Sequence, residues 1–207
     1  MALRRSIWPF LADRGFERRT DRVAWRYWQE GVDVVEVTSV GSQADAIGCP
    51  SLSFGAQAGA RLVWLPHPTE VASKDGLVRP HYWHCDPVVR TLIKGLPQPW
   101  FTPFTQPVGS LTPGMRLHGE GLRHVLRADT HDRPDVWFVL EDGSNLDAVA
   151  DDLVKAVSTQ ALPFLDRVHD PSELALMAEA DALRARRGSP VVNQLVEAAT
   201  GRARDFR

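Results

Sequence analysis

Two histidines and a cysteine lie close together in the sequence and could ligate a metal ion. His81, His84 and Cys85 carry imidazole and thiol groups, which are the ligands that zinc prefers in proteins. His67 or Cys49 is a candidate for a further ligand. No second Cys-x-x-Cys or His-x-x-x-His element supplies the remaining ligands at a recognisable spacing. We therefore predict a metal-dependent hydrolase as the alternative function and not as the preferred one.

The same segment also has a structural interpretation. Asp86 stands before a proline, an order that is typical of a helix start, so the sequence predicts a short helix over residues 87–94. At such a start His84 and Cys85 would bond to the backbone, and Trp83 would pack in the core. A further alternative is that the helix N-terminus lowers the pKa of the Cys85 thiol and makes it a nucleophile.

Other catalytic and cofactor motifs are missing from the sequence. The chain has no Gly-x-Ser-x-Gly elbow, no Walker pattern and no Gly-x-Gly-x-x-Gly loop, so we predict no cofactor. We therefore favour a non-catalytic binding or protein-interaction domain over an enzyme. The expected partner is another protein, such as a toxin. The candidate binding residues are the aromatic side chains of a proline-rich segment, Trp100, Phe101 and Phe104.

The charge is close to neutral overall but unevenly distributed. The formal net charge is −2, while residues 132–181 carry twelve acidic residues against three arginines and lysines. Either acidic helices pack near the basic ends of the chain, or an anionic patch meets a basic partner. Arg18, Arg19 and Arg22 precede an aromatic strand and could bind a nucleic acid by stacking and charge. The nearly neutral charge and the missing RNP motif disfavour that reading.

The order of the predicted elements is typical of an α+β fold. It favours an antiparallel sheet packed by an N-terminal helix and C-terminal helices, with a long proline-rich middle loop. We expect a single α+β domain over residues 1–187, and a C-terminal helix and frayed tail over residues 188–207. The predicted elements are a helix at 2–14, strands at 23–29, 32–40, 52–65 and 135–140, and helices after residue 143.

The predicted C-terminal helices have recognisable starts and ends. Ser144 is the expected N-cap of the first helix, with Asp147 in the position of a capping-box acid. This helix is expected to end before Pro163. A second helix is predicted to start at Asp170, which stands before a proline, and to end at Gly188.

The cysteine count and the apolar pattern predict a cytoplasmic protein. The chain contains two cysteines, fewer than a secreted fold of this size usually carries. The N-terminal residues lack the apolar run of a signal peptide. No segment approaches the roughly 18 apolar residues of a membrane span. We therefore expect a reducing compartment and no association with a membrane.

Several segments together resemble a bacterial protein family. The most specific are Asp135-Val136-Trp137-Phe138 and Leu162-Pro163-Phe164-Leu165-Asp166. With these segments the chain resembles the family called domain of unknown function 4304, which implies a bacterial origin and one fold-sized unit but no established reaction or catalytic residues. The more general matching segments are Gly15-Phe16-Glu17-Arg18, Trp25-Arg26-Tyr27, Val34-Val35-Glu36-Val37, Ser53-Phe54-Gly55 and His84-Cys85.

Overall fold

The computed structural model of the chain describes residues 2–41, 52–65, 77–95, 135–140 and 142–185. Several sequence predictions fall outside these ranges and stay predictions. They concern the candidate ligands His67 and Cys49, the proline-rich loop with Trp100, Phe101 and Phe104, and the C-terminal segment 188–207.

The described residues form an α+β fold, as predicted. The helices are α1 (Ala2–Ala12), α2 (Leu146–Ala156), α3 (Leu162–His169) and α4 (Pro171–Ala185). A π-helical turn, Val157–Ala161, connects α2 to α3. No helix among the described residues combines the length and the apolar character needed to cross a bilayer. The strands are β1 (Arg18–Arg19), β2 (Val23–Trp28), β3 (Gly31–Ser39), β4 (Phe54–Leu62), β5 (Arg90–Ile93) and β6 (Val136–Trp137).

The six described strands form a sheet with the order β1-β2-β3-β4-β5, and β6 pairs with β4. Pairing is antiparallel between β1 and β2, between β2 and β3, and between β4 and β6. β2 and β3 form a hairpin, in which the last pair is Trp28 with Gly31. A Cβ atom at Gly31 would lie 2.7 Å from the carbonyl oxygen of Arg61, so this position has no room for a side chain.

The chain divides into two compact units, each built from three segments. The first unit contains Met1–Phe10, Val37–Ala56 and Leu92–Val157, and the second contains Leu11–Glu36, Gln57–Thr91 and Ser158–Arg207. Within the first unit, the buried Trp137 ring stacks on Phe54 with 5.7 Å between the ring centroids. The Trp137 indole N–H donates to Asp152 Oδ2 at 2.9 Å, so this core includes a buried polar pair.

The core of the second unit lies on the β2–β3 hairpin. Residues Gly31–Val37 of β3 are all buried, which means that this strand is covered on both of its faces. β-branched residues dominate it because they pack well on a pleated surface. One face carries a buried cluster of Val23, Trp25, Val32, Val34 and Cys85.

Two local predictions are wrong. Residues 87–94 do not form a helix. The Asp86 side chain accepts a hydrogen bond from the Val88 N–H, as an N-cap does. However, the element that follows is the short 3-10 turn Pro87–Val89, and the chain then enters strand β5. The N-cap of α2 is Asn145 and not Ser144. The prediction that the first C-terminal helix ends before Pro163 is confirmed, because α2 ends at Ala156; Pro163 lies in the first turn of α3. The predicted start at Asp170 is confirmed, with its Oδ1 accepting from the N–H groups of Ser172 and Glu173.

Candidate functional site

Residues 77–89, called the strap here, lie over one face of β2 and β3 in the second unit. Two aromatic side chains of β2 bond to the strap backbone: Trp25 Nε1 donates to the carbonyl of Pro80 at 2.7 Å, and the Tyr27 hydroxyl donates to the carbonyl of Val78 at 3.0 Å. Trp25 and Tyr27 share a face because side chains alternate along a strand. The strap backbone is thereby fixed to the sheet at two points.

A buried carboxylate provides a third attachment. Glu36 of β3 is 4% exposed. Its Oε2 accepts from the backbone N–H of Tyr82 at 2.9 Å, and its Oε1 lies 3.2 Å from Nδ1 of His81. A buried carboxylate is tolerated only when hydrogen bonds satisfy it. Glu36 is therefore part of the support that holds residues 81 and 82 in place.

The three predicted metal ligands lie close together but make different contacts. Nδ1 of His84 accepts from the backbone N–H of His81 at 2.9 Å. The Cys85 thiol donates to the carbonyl of His81 at 3.7 Å. Among the described residues, no group of three or more His, Cys, Asp or Glu side chains is arranged to hold a metal ion.

Cys85 has the environment of a structural thiol. It is 2% exposed and belongs to the core cluster. Burial raises its pKa to about 12, against the smaller lowering effect of the Arg90 charge. The predicted helix that would have lowered this pKa is absent here, since only a 3-10 turn follows. The thiol is therefore protonated near neutral pH, and a thiol is a far weaker nucleophile than a thiolate.

Trp83 is on the outside of the strap, not in the core. Its side chain is 55% exposed. The indole stacks nearly parallel on the His81 ring, with 4.3 Å between centroids and 6° between planes. The ring of His84 lies at 59° to it, with 5.5 Å between centroids. We call this group of three side chains the aromatic platform.

Apart from the buried Asp86, the charged residues of the strap and of the position that follows it are arginines. Arg90 follows the strap, is half-buried, and places its guanidinium 5.4 Å from the centroid of the Tyr82 ring. Arg79 is also half-buried. The strap's own acid, Asp86, is buried and caps the turn after it. The strap thus presents arginine and aromatic groups to solvent.

Comparison of the sequence with protein families, with curated proteins and with solved structures finds no match. The contacts and burial of the strap residues are therefore the basis for assigning a function.

A second polar cluster lies on the other face of the hairpin. Asp33 is 0% exposed. Its Oδ2 accepts from Nε of Arg26 at 2.7 Å, and Nε2 of His169 lies 3.0 Å from both of its oxygens. The His169 ring also packs against Trp28, with 4.1 Å between centroids and 36° between the ring planes. The only sequence signal for this cluster is an acid inside a β-branched run, which does not reveal its partners.

The aromatic residues of β2 that could have stacked on nucleic-acid bases, an alternative that the sequence disfavours, make contacts within the second unit. Trp25 is buried in the core cluster and its indole N–H bonds to the strap. The Tyr27 hydroxyl bonds to the strap as well, and Trp28 packs against His169. These three rings are used inside the fold, so they do not offer free faces to successive bases.

Proposed function

We propose that this chain is a non-catalytic protein-interaction domain and that the aromatic platform is its binding surface. The observation that carries the proposal is the 55% exposure of Trp83 on a well-supported strap. Tryptophan combines a large apolar area with few rotatable bonds, and it is enriched among the residues that dominate binding energy.

The support beneath Trp83 favours binding because it limits the entropy lost on association. His81, on which the indole stacks, lies 3.2 Å from the buried carboxylate of Glu36. The next backbone N–H, of Tyr82, bonds to the same carboxylate. A side chain that is already ordered in the free protein loses less conformational freedom when a partner arrives. The platform is pre-organised in this sense.

The charges favour an acidic partner segment. Arg79 and Arg90 precede and follow the platform in the sequence, while the carboxylates of Asp86 and Glu36 are buried and hydrogen-bonded. Complementary charge accelerates encounter and suppresses wrong partners. We therefore expect a peptide segment of another protein that combines Asp or Glu with an apolar or aromatic side chain for the indole.

The alternative, a metal-dependent hydrolase at His81, His84 and Cys85, has less support. The Cys85 thiol is buried and its pKa is raised to about 12. Nδ1 of His84 is occupied by a backbone N–H, and Nδ1 of His81 faces Glu36. Membership of the family called domain of unknown function 4304 also stays a prediction, and it would be compatible with either function.

Selection of peptides on the full chain tests the proposal. Random peptides displayed on phage would be selected on the wild-type protein, and the enriched sequences synthesised for affinity measurement. We expect enrichment in Asp and Glu next to an apolar or aromatic residue. Trp83→Ala should weaken binding of these peptides roughly thirtyfold, which is the loss typical of a binding hot spot.

Leu176→Ala is the matched control, because Leu176 is 58% exposed in α4 of the same unit. It removes an exposed apolar side chain that does not belong to the strap, and it should leave the affinity unchanged. Far-ultraviolet circular dichroism would verify that both variants stay folded. Equal binding by wild type and Trp83→Ala, or enrichment of basic peptides, would refute the proposal.

A further inference from the structure

A polar cavity lies beside the start of the strap, and no sequence motif predicts it. Its volume is about 360 Å³, and it is lined by Glu17, Arg19, Thr20, Trp25 and Arg79. This volume is at the small end of the range for small-molecule sites. Four of the five lining side chains are polar or charged, and all five residues belong to the second unit. A small and charged ligand fits these properties best.

We infer that this cavity binds a small zwitterion, a molecule that carries both a carboxylate and an ammonium group. The guanidinium group of Arg19 is suited to a carboxylate, which arginine can bind through two parallel hydrogen bonds, and Arg79 adds a second positive charge to the lining. The carboxylate of Glu17 is suited to an ammonium group. Free amino acids and short peptides share this chemistry.

Two details of the cavity support this inference. The Thr20 hydroxyl oxygen accepts from the backbone N–H groups of Arg22 and Val23, at 3.2 and 3.1 Å. Both bonds use the oxygen as acceptor, so the hydroxyl proton can be donated to a ligand carboxylate. Among the described residues, neither Glu17 nor Arg19 forms an ion pair with another side chain.

The presence of Glu17 decides against a phosphate ligand. A phosphate dianion would be attracted by the two arginines but repelled by the carboxylate of Glu17. A zwitterion can place its carboxylate against the arginines and its ammonium group against Glu17. Trp25 is largely buried and its indole N–H is bonded to Pro80, so it contributes an apolar wall and no further donor.

Isothermal titration calorimetry of the full chain tests the inference. The probes are the standard amino acids, simple dipeptides, and three single-function controls: acetate, methylammonium and inorganic phosphate. We expect saturable binding of at least one amino acid or dipeptide, and at least tenfold weaker binding of the controls. Comparison of amino acids with dipeptides identifies which source of zwitterion is preferred.

Three variants make the result specific to the cavity. Arg19→Gln should weaken binding of the zwitterion about tenfold, because one charge-assisted contact is lost. Glu17→Gln should weaken binding of the zwitterion but not of acetate, since acetate has no ammonium group. Arg22→Gln is the matched control: Arg22 is an exposed arginine near the cavity but outside its lining, and its replacement should change nothing.

The inference is overturned if no zwitterion binds saturably at millimolar concentration, if inorganic phosphate binds as well as the best zwitterion, or if Arg22→Gln weakens binding as much as Arg19→Gln does. Trp83→Ala should leave this binding unchanged, because Trp83 does not line the cavity. The result is thus independent of the proposed protein-interaction surface.

Discussion

Nε2 of His169 lies 3.0 Å from both carboxylate oxygens of Asp33, although the two residues are 136 positions apart in the chain. The contact joins the last residue of α3 to the middle of β3. Asp33 is completely buried, and Arg26 is its second partner. A buried carboxylate with two cationic or hydrogen-bonding partners fixes the helix to the sheet within the second unit.

Removal of this carboxylate should be strongly destabilising. Asp33→Ala leaves Arg26 and His169 without their shared partner, so we expect a loss of about 3 kcal/mol in the free energy of unfolding. The measurement is urea denaturation followed by circular dichroism. Asp166→Ala is the control, because Asp166 also contacts Arg26, at 3.3 Å, but is 65% exposed. It should cost at most about 0.5 kcal/mol. A similar loss in the free energy of unfolding in both variants would show that the burial of Asp33 does not account for its contribution to stability.

Gly59 of β4 is required by the close approach of the strap. A Cβ atom there would lie 3.0 Å from both Cβ and Sγ of Cys85 and 3.1 Å from Cβ of Arg90. We expect Gly59→Ala to lower the free energy of unfolding by about 1–3 kcal/mol through overpacking. Cys85→Ala removes the Sγ atom that the new methyl group would contact. The double variant should therefore lose less free energy of unfolding than the sum of the losses in the two single variants, by at least about 0.5 kcal/mol. Strict additivity would argue against the close packing.

The buried thiol of Cys85 predicts a specific dependence of stability on pH. Burial raises its pKa from 9.0 to about 12 in the folded protein. Between these values the unfolded chain loses the thiol proton while the folded chain keeps it, so stability is fully present below pH 9 and falls as the pH rises towards 12. The slope due to this thiol is about 1.4 kcal/mol per pH unit. Thermal unfolding of wild type and Cys85→Ala across this range measures the difference. The same slope in both proteins would mean that the thiol is not responsible.

The Trp137–Asp152 hydrogen bond should stabilise the first unit. Asp152 is buried, and its Oδ2 accepts from the indole N–H of Trp137 at 2.9 Å. Asp152→Ala leaves a buried donor without this acceptor, and we expect a loss of about 1–3 kcal/mol in unfolding free energy. Asp151→Ala is the neighbouring control, because Asp151 is exposed on the same helix. Chemical denaturation of both variants measures the two losses in the free energy of unfolding. An equally large loss in Asp151→Ala would count against a specific contribution of the Trp137–Asp152 hydrogen bond.

The sequence predicted the elements whose pattern is local. The apolar stripe of α1 has the period of a helix, and the aromatic run of β2 and the β-branched run of β3 have the composition of strands. The cap at Asp170 was also predicted, because its acceptor bonds only to the next residues. By contrast, residues 90–93 became a strand because β4 offers a pairing edge, and a local cap at Asp86 could not reveal that edge.

The candidate site was predicted only in part. The segment containing His81 and His84 was identified by its residue types, but their contacts depend on Glu36, which lies 45 positions from His81. Trp83 was expected in the core, since large apolar residues usually lie there, whereas it is exposed. The cavity at Arg19 and Arg79 also combines distant segments. Long-range juxtapositions of this kind leave no periodic signal in a single sequence.

The most direct test of the protein-interaction proposal is a nuclear magnetic resonance titration of the isotope-labelled full chain with a selected acidic peptide. The chain has seven tryptophans, and the indole N–H signal of Trp83 is identified by its disappearance in Trp83→Ala. We predict that this signal shifts progressively with added peptide, while the buried, hydrogen-bonded indoles of Trp25 and Trp137 stay in place. An unmoved Trp83 signal under saturating peptide would contradict the account.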